Sequence, residues 1–174
     1  MVLKERKAVW LTCCILFALN VINCFFSVTG YGMGLGVDPA EINLRNVPLG
    51  ELVAVSVLGG KGMMLTIENK SSSAYNYSIN ILHSSQTSAP LKQGYADIPD
   101  TAWIRPKNKE VKVAGKSKKT VEIFLKIPGK EEYYNKKYQA VIEVKSKKND
   151  IREIFVLACQ LKLCFTTISR EKEE

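Results

Sequence analysis

One feature constrains this chain more than any other: a two-residue alternation of apolar and polar side chains, with turn-forming interruptions, from residue 37 to residue 168. Ile42 and Leu44 alternate with Glu41, Asn43 and Arg45. Val53, Val55 and Val57 share a face of the next run, and Met63, Leu65 and Ile67 form a stripe that closes on the turn-rich residues 68–73. Tyr75, Tyr77, Ile79 and Ile81 line one face of a strand, with Asn76, Ser78 and Asn80 on the other. Val111 and Val113 lead to a turn at 114–117. Val121, Ile123, Leu125 and Ile127 then predict one strand, which Pro128 and Gly129 stop. Tyr138, Ala140, Ile142 and Val144 predict another, followed by a hairpin turn at 147–150. In the last run, 154–168, Leu157, Cys159, Leu161, Leu163 and Phe165 share a face. Pro90, Gly94, Pro99 and Pro106 make 83–109 irregular. No stretch carries the 3.6-residue period of an amphipathic helix. Seven to eight strands in about 130 residues predict an all-β antiparallel sandwich, with a barrel as the competing architecture.

The first 30 residues have a different character. Lys4, Arg6 and Lys7 precede a largely apolar stretch from Ala8 to Leu19, and small residues follow at 27–30. This is the pattern of a secretory signal peptide, predicted as an N-terminal helix over 1–30 with a cut after Gly30. An uncleaved anchor is the alternative, since 8–28 is long enough to span ~30 Å of hydrocarbon. Either way the remainder is exported, to periplasm, cell surface or medium. Residues 31–36 read as a flexible mature N-terminus, 37–169 as the sandwich and 170–174 as a charged tail.

Export leaves Cys159 and Cys164 in the mature chain. On one strand they stand roughly 16 Å apart at ~3.3 Å per residue, too far for a disulfide, and on opposite faces. Continuing the alternation predicts a buried Cys159 and a half-exposed Cys164, so Cys164 is the candidate intermolecular thiol.

Several segments resemble an immunoglobulin-like module of exported prokaryotic proteins, in the broad group that includes PapD-like and BACON-like sandwiches. They are Val37-Asp-Pro-Ala-Glu-Ile, Asn46-Val-Pro-Leu-Gly50, Leu65-Thr-Ile-Glu-Asn69, Trp103-Ile-Arg-Pro, the run 111–123, Ile127-Pro and the run 138–146. The resemblance covers roughly 37–168 and is carried by strands and turns, so it implies a fold rather than an activity. It implies structural roles for Trp103 and for Tyr138, which stands where a tyrosine corner would lie. Ala140 occupies the position of the antibody cysteine, so no inter-sheet disulfide follows.

Catalytic chemistry has few candidates. His83 is the single histidine, at a strand end before Ser84 and Ser85, with no nucleophile elbow near it. Asp97 and Asp100 flank Ile98-Pro99 and read as turn formers rather than an acid pair or calcium loop. The glycines of 30–36 lack the flanking strand and helix of a phosphate loop. Asn69 and Asn76 head acceptor triplets for N-glycosylation. No enzyme, cofactor or metal is expected.

Charge departs furthest from an ordinary domain. Residues 105–150 carry 14 Lys and Arg against 6 Asp and Glu, while 31–104 carry 4 against 6. The main contributors are Lys107, Lys109, Lys112, Lys116, Lys118, Lys119, Lys136, Lys137, Lys147 and Lys148. Such a surface attracts anionic polymers in a salt-sensitive way, or keeps strand edges soluble. Nucleic acid is disfavoured by export and by the scarcity of interleaved aromatics.

The apolar run 154–159 implies burial on both faces or cover by another chain. With Phe124, Val141 and Phe155 pointing away from the inferred core, it predicts a hydrophobic patch for a partner or second subunit, unless 50–62 and 83–109 fold back over that side. The expected function is therefore an exported, non-enzymatic binding or structural module of the cell envelope, engaging a protein or an anionic surface polymer. Homo-oligomerisation, membrane contact only through an uncleaved N-terminus, and a strand-exchanging pilus subunit or chaperone-like component are the alternatives.

Overall fold

The computed structural model describes residues 34–60, 63–147 and 156–169. Twelve strands and one short helix are found there: β1 (Leu35–Asp38), β2 (Glu41–Val47), β3 (Leu52–Ala54), α1 (Val55–Gly59), β4 (Leu65–Asn69), β5 (Tyr75–His83), β6 (Ala96–Asp97), β7 (Ile104–Pro106), β8 (Glu110–Val113), β9 (Ser117–Val121), β10 (Ile123–Lys126), β11 (Lys137–Ser146) and β12 (Ala158–Thr167). The largest sheet runs β2-β12-β11-β5-β8, with β6 pairing alongside β11. Two smaller sheets, β1-β4-β9 and β3-β10-β7, complete a sandwich.

The alternating positions fill its interior. Leu65 and Ile67 of β4, Ile123 and Leu125 of β10, Ala140, Ile142 and Val144 of β11, and Leu161, Leu163 and Phe165 of β12 are all buried in one core cluster. The end of that core near the start of β11 is aromatic. Trp103 meets Tyr133 and Tyr138 edge-on, with ring centroids 4.8 and 5.7 Å apart, and Tyr138 packs on Phe165 at 5.7 Å.

Three expectations change. The run from Val121 to Ile127 is two strands, because the chain steps sideways at Glu122: β9 pairs with β4, and β10 pairs with β3 and β7. Leu35 and Gly36, expected within a flexible N-terminus, instead open β1, which pairs with β4 from Leu35 to Asp38, while β2 beyond the cis Asp38–Pro39 bond joins the largest sheet. The three valines of 53–57 do not share a strand face. β3 stops at Ala54, where its ladder with β10 ends, and the chain coils into α1. Val55 is then fully buried while Val57 is 76% exposed. The expected signal-peptide helix lies outside the described residues.

Asn69, the last residue of β4, shows why a strand ends here in a polar residue. It is fully buried. Its side-chain amide donates to the carbonyls of Ser73, Val113 and Ala114, and its Oδ1 accepts from the Ser71 N–H and hydroxyl. One carboxamide thus ties the β4–β5 turn to the β8–β9 turn. Every Nδ2 proton is engaged, so Asn69 is a structural residue rather than a glycan acceptor. Gly115 fits the same junction, since a Cβ there would collide with the Ser72 carbonyl.

Candidate functional site

The open part of the fold lies on β12. From Ala158 to Thr166 it pairs with β11. On the other flank β2 runs parallel to it, but that pairing begins only at Lys162. The Lys162 N–H reaches the Ala40 carbonyl on this flank, whereas the Thr167 N–H faces the β11 side. By strand alternation the N–H and C=O of Ala158 and Gln160 therefore point the same way as those of Lys162. No described strand pairs with them there, although β1 runs close by, its Leu35 carbonyl accepting from the Cys159 thiol. Val156 is 38% exposed and Ala158 is exposed. Among the described residues Val156 and Ala158 are thus exposed on one face while Leu157 and Cys159 are half-buried on the other, contrary to burial on both faces. Leu157 and Cys159 turn inward, the Cys159 thiol donating to the Leu35 carbonyl at 3.3 Å.

The two cysteines exchange their expected environments. Cys164 is fully buried and Cys159 half-buried. The intermolecular role expected of Cys164 is therefore corrected, since its thiol does not reach the surface. The cause is a strap, residues 84–97, folded over the outer face of the large sheet. Gln139, itself fully buried, donates to the Ser84 hydroxyl and the Pro90 carbonyl and accepts from the Lys92 N–H. Cys164 lies beneath, 3.7 Å from the Gln139 Oε1, and burial pushes its thiol pKa up. Lys92 carries the strap onward to β2 through Glu41 and Asn43.

Val141, on the same outer face, is likewise fully buried instead of exposed. Phe124 is half-buried on β10, opposite Ala54 and Arg105, in the other layer. These residues therefore do not assemble one hydrophobic patch, and Phe155 lies outside the described residues.

Asp97 anchors the strap. It accepts from the Ser84 N–H, the Ser85 N–H and the Ser85 hydroxyl at 2.8 to 3.0 Å. Burial pushes its pKa up, but the bonds from Ser85 and Ser84 and the nearby His83 outweigh this, so the carboxyl sits below its ordinary value. A lowered folded-state pKa stabilises the fold above the ordinary value of ~4 and ceases to do so as pH falls through the folded value. The Ser84 and Ser85 amides should therefore lose hydrogen-exchange protection below about pH 4. His83 stands 3.9 Å from Asp97 in an ion-pair geometry, and Asp100 caps a separate turn through the Ala102 N–H. Among the described residues no three His, Cys, Asp or Glu side chains cluster as metal ligands.

Gln139→Ala tests the strap. It leaves the Ser84, Pro90 and Lys92 groups without partners, a cost of about 2 kcal/mol, or roughly 30-fold in the opening equilibrium. Peptide-resolved thiol labelling should show Cys164 reacting about that much faster, with Cys159 unchanged.

The lysines divide into groups. Lys112, Lys116, Lys118, Lys119 and Lys147 gather around the β8–β9 edge, where Glu110 pairs with Lys147 and Glu68 with Lys118. Lys107 and Lys109 occupy the crossing from β7 to β8. Lys136 precedes and Lys137 opens β11, and Lys147 follows its far end, about 30 Å away at ~3.3 Å per residue. Lys148 lies outside the described residues.

No family model and no curated protein matches this sequence. Solved structures do. The PapD-like domain 7 of human CEP192 superposes with a TM-score of 0.57 at 11% identity, over 84% of this chain and 93% of that domain. The fold is PapD-like. The periplasmic chaperone SfaE matches at TM-score 0.51 and 15% identity, over 77% of this chain and 58% of SfaE. The Salmonella enterica complex of the SafA pilin with the SafB chaperone supplies a further PapD-like match, at TM-score 0.50 and 8% identity, over 78% of this chain and 55% of that one. The chain thus spans a little over half the length of these chaperone-related matches.

Signals for this site were partly present in the sequence. The double-sided apolar run marked the start of β12. Nothing marked the short reach of β2, because pairing length depends on where two distant segments meet.

Proposed function

We propose that this protein is an exported, non-enzymatic binding module of the cell envelope that holds a protein partner by strand addition at the open half of β12. The single observation carrying this reading is that, among the described residues, no strand pairs with the flank of Val156–Gln160 to which the backbone groups of Ala158 and Gln160 point. An extended segment laid there gains main-chain hydrogen bonds, and the exposed valine and alanine gain cover. The chaperone-like fold of SfaE, and a complex in which such a chaperone holds a pilin, support a protein as the partner. Export is supported by the basic and then apolar N-terminus.

The test is Gln160→Pro. Its N–H lies on the open flank, so proline removes a donor there and spares the β11 ladder. Wild-type protein isolated from its own envelope fraction should carry a cross-linked partner that the variant loses, at an unchanged melting temperature. Retention of the same partner by the variant would refute strand addition at β12. The lysines of the β8–β9 edge favour a second reading, binding of an anionic surface polymer. Binding abolished by moderate salt, and by Lys112→Glu with Lys118→Glu but not by Gln160→Pro, would select it.

A further inference from the structure

A second open edge lies on the opposite flank of the same sheet. β11 accompanies β5 from Tyr77 to His83. On its other side β8 pairs only with Tyr75–Ser78, after which the Ile79 N–H reaches the Lys109 carbonyl at 2.8 Å. Since Ile79 points to this side, the N–H and C=O of Ile81 do so as well, and β8 offers them no partner. β8 stops short because the chain leaves β7 in one layer and crosses at 107–109 to the other.

That crossing leaves a groove of about 720 Å³ between β5 and β7. Volumes of ~300 to 1,000 Å³ are usual for ligand sites. Its floor is apolar, with Ile79 and Ile104 buried and Ile81 half-buried. Arg105 and Lys109 stand on its rim, both exposed. The Arg105 Nε donates to the Ala102 carbonyl at 3.2 Å, which holds the guanidinium along the wall and leaves its other donors available. No carboxylate lines the groove.

We infer that this groove binds an extended acidic segment of a second protein, which adds to β5 as a strand and sets carboxylates against Arg105 and Lys109. The backbone edge selects a peptide over a polysaccharide. The apolar floor selects alternate apolar side chains, and the two cations without an acid select Asp or Glu on the outward positions. The surface is separate from the β12 edge, with β11 between them, and does not rest on that assignment.

The probe is a blocked heptapeptide, Thr-Val-Glu-Val-Glu-Val-Thr, with a counterpart in which lysine replaces both glutamates. Each is titrated into the isotope-labelled full chain while backbone amides are followed by NMR. The acidic peptide should shift Ile79–His83 and Arg105 and bind ~10-fold or more tightly than the lysine peptide. Arg105→Glu with Lys109→Glu, both at exposed positions, should reverse that preference. If this pair does not fold, Arg105→Gln with Lys109→Gln should abolish the preference instead. Shifts confined to 158–161, equal binding of both peptides, or no binding at millimolar peptide would overturn the proposal and leave the β12 reading intact. Concentration-dependent broadening of Ile79–His83 without peptide would also overturn it, in favour of a second copy of this chain.

Discussion

Replacing Asn69 with alanine should cost about 3 kcal/mol of folding stability, read as a lowered denaturant midpoint at unchanged slope. The native carboxamide makes five hydrogen bonds from a fully buried position. Truncation strips a partner from the buried Val113 carbonyl and from the Ser71 N–H, while the Ala114 carbonyl keeps the Ser117 hydroxyl and the Ser71 hydroxyl keeps the Ser73 carbonyl. Each partly buried group left bare costs about 1 kcal/mol or more, and one water entering the void cannot reproduce the geometry of all of them. Aspartate is a sharper version. It keeps the acceptor for Ser71 but has no donor for the three carbonyls, and sets a negative charge against them. Burial and the three carbonyls raise the folded-state pKa of such a carboxyl, so Asn69→Asp should be at least as harmful as alanine near neutral pH and recover in part as pH falls through that raised value toward about 4. A loss below 1 kcal/mol for both would mean that the two turns hold each other through backbone contacts alone, such as the Lys116 N–H to the Ser71 carbonyl.

Asn69 also shows how far local pattern could be read. The apolar strand ending in asparagine was visible as a segment, and its place in the fold followed from alternation. That it binds a turn 44 residues away was not visible, because nothing near Asn69 names Val113 as its partner. The same limit explains the other departures. Period-2 alternation located β4, β5, β8, β11 and β12, since each has one face on the core. It merged β9 with β10, because the step at Glu122 changes partners without changing which side chains face inward. It misread 53–57, where two consecutive turns of short-range geometry compete and the end of the β10 ladder decides.

The outer face of the large sheet was the hardest to read. Gln139, Val141 and Cys164 alternate out of the main core, so exposure was the natural expectation. Their burial depends on the strap 84–97, a stretch rich in serine and broken by proline and glycine. Such a segment has no period of its own. Its course is set by Gln139, Asp97 and Lys92, each meeting a partner remote in sequence. Conversely, the groove beside β5 and the open flank of β12 are places where pairing stops. Interruption of a ladder is a property of two chains of residues together, so neither site could be located from one of them.

The second large effect is expected at Trp103. Trp103→Ala should cost about 4 kcal/mol, in the range for deleting a buried aromatic ring. Trp103 is 5% exposed and has edge-on contacts with both Tyr133 and Tyr138. It sits on the short turn Thr101–Trp103, whose other residues form a wall of the groove beside β5. The indole therefore joins two roles: it fills the aromatic end of the core, and it positions that wall from behind. Trp103→Phe separates them. A smaller ring retains much of the apolar contact, so the loss should fall to about 1 to 2 kcal/mol and the wall should stay in place. Under strand addition at β5, the phenylalanine variant should still discriminate the acidic from the lysine peptide, while the alanine variant should lose that discrimination even under conditions where it remains folded. Equal discrimination by all three would show that Trp103 stabilises the core without shaping the groove, and would leave Arg105 and Lys109 as the whole basis of its selectivity.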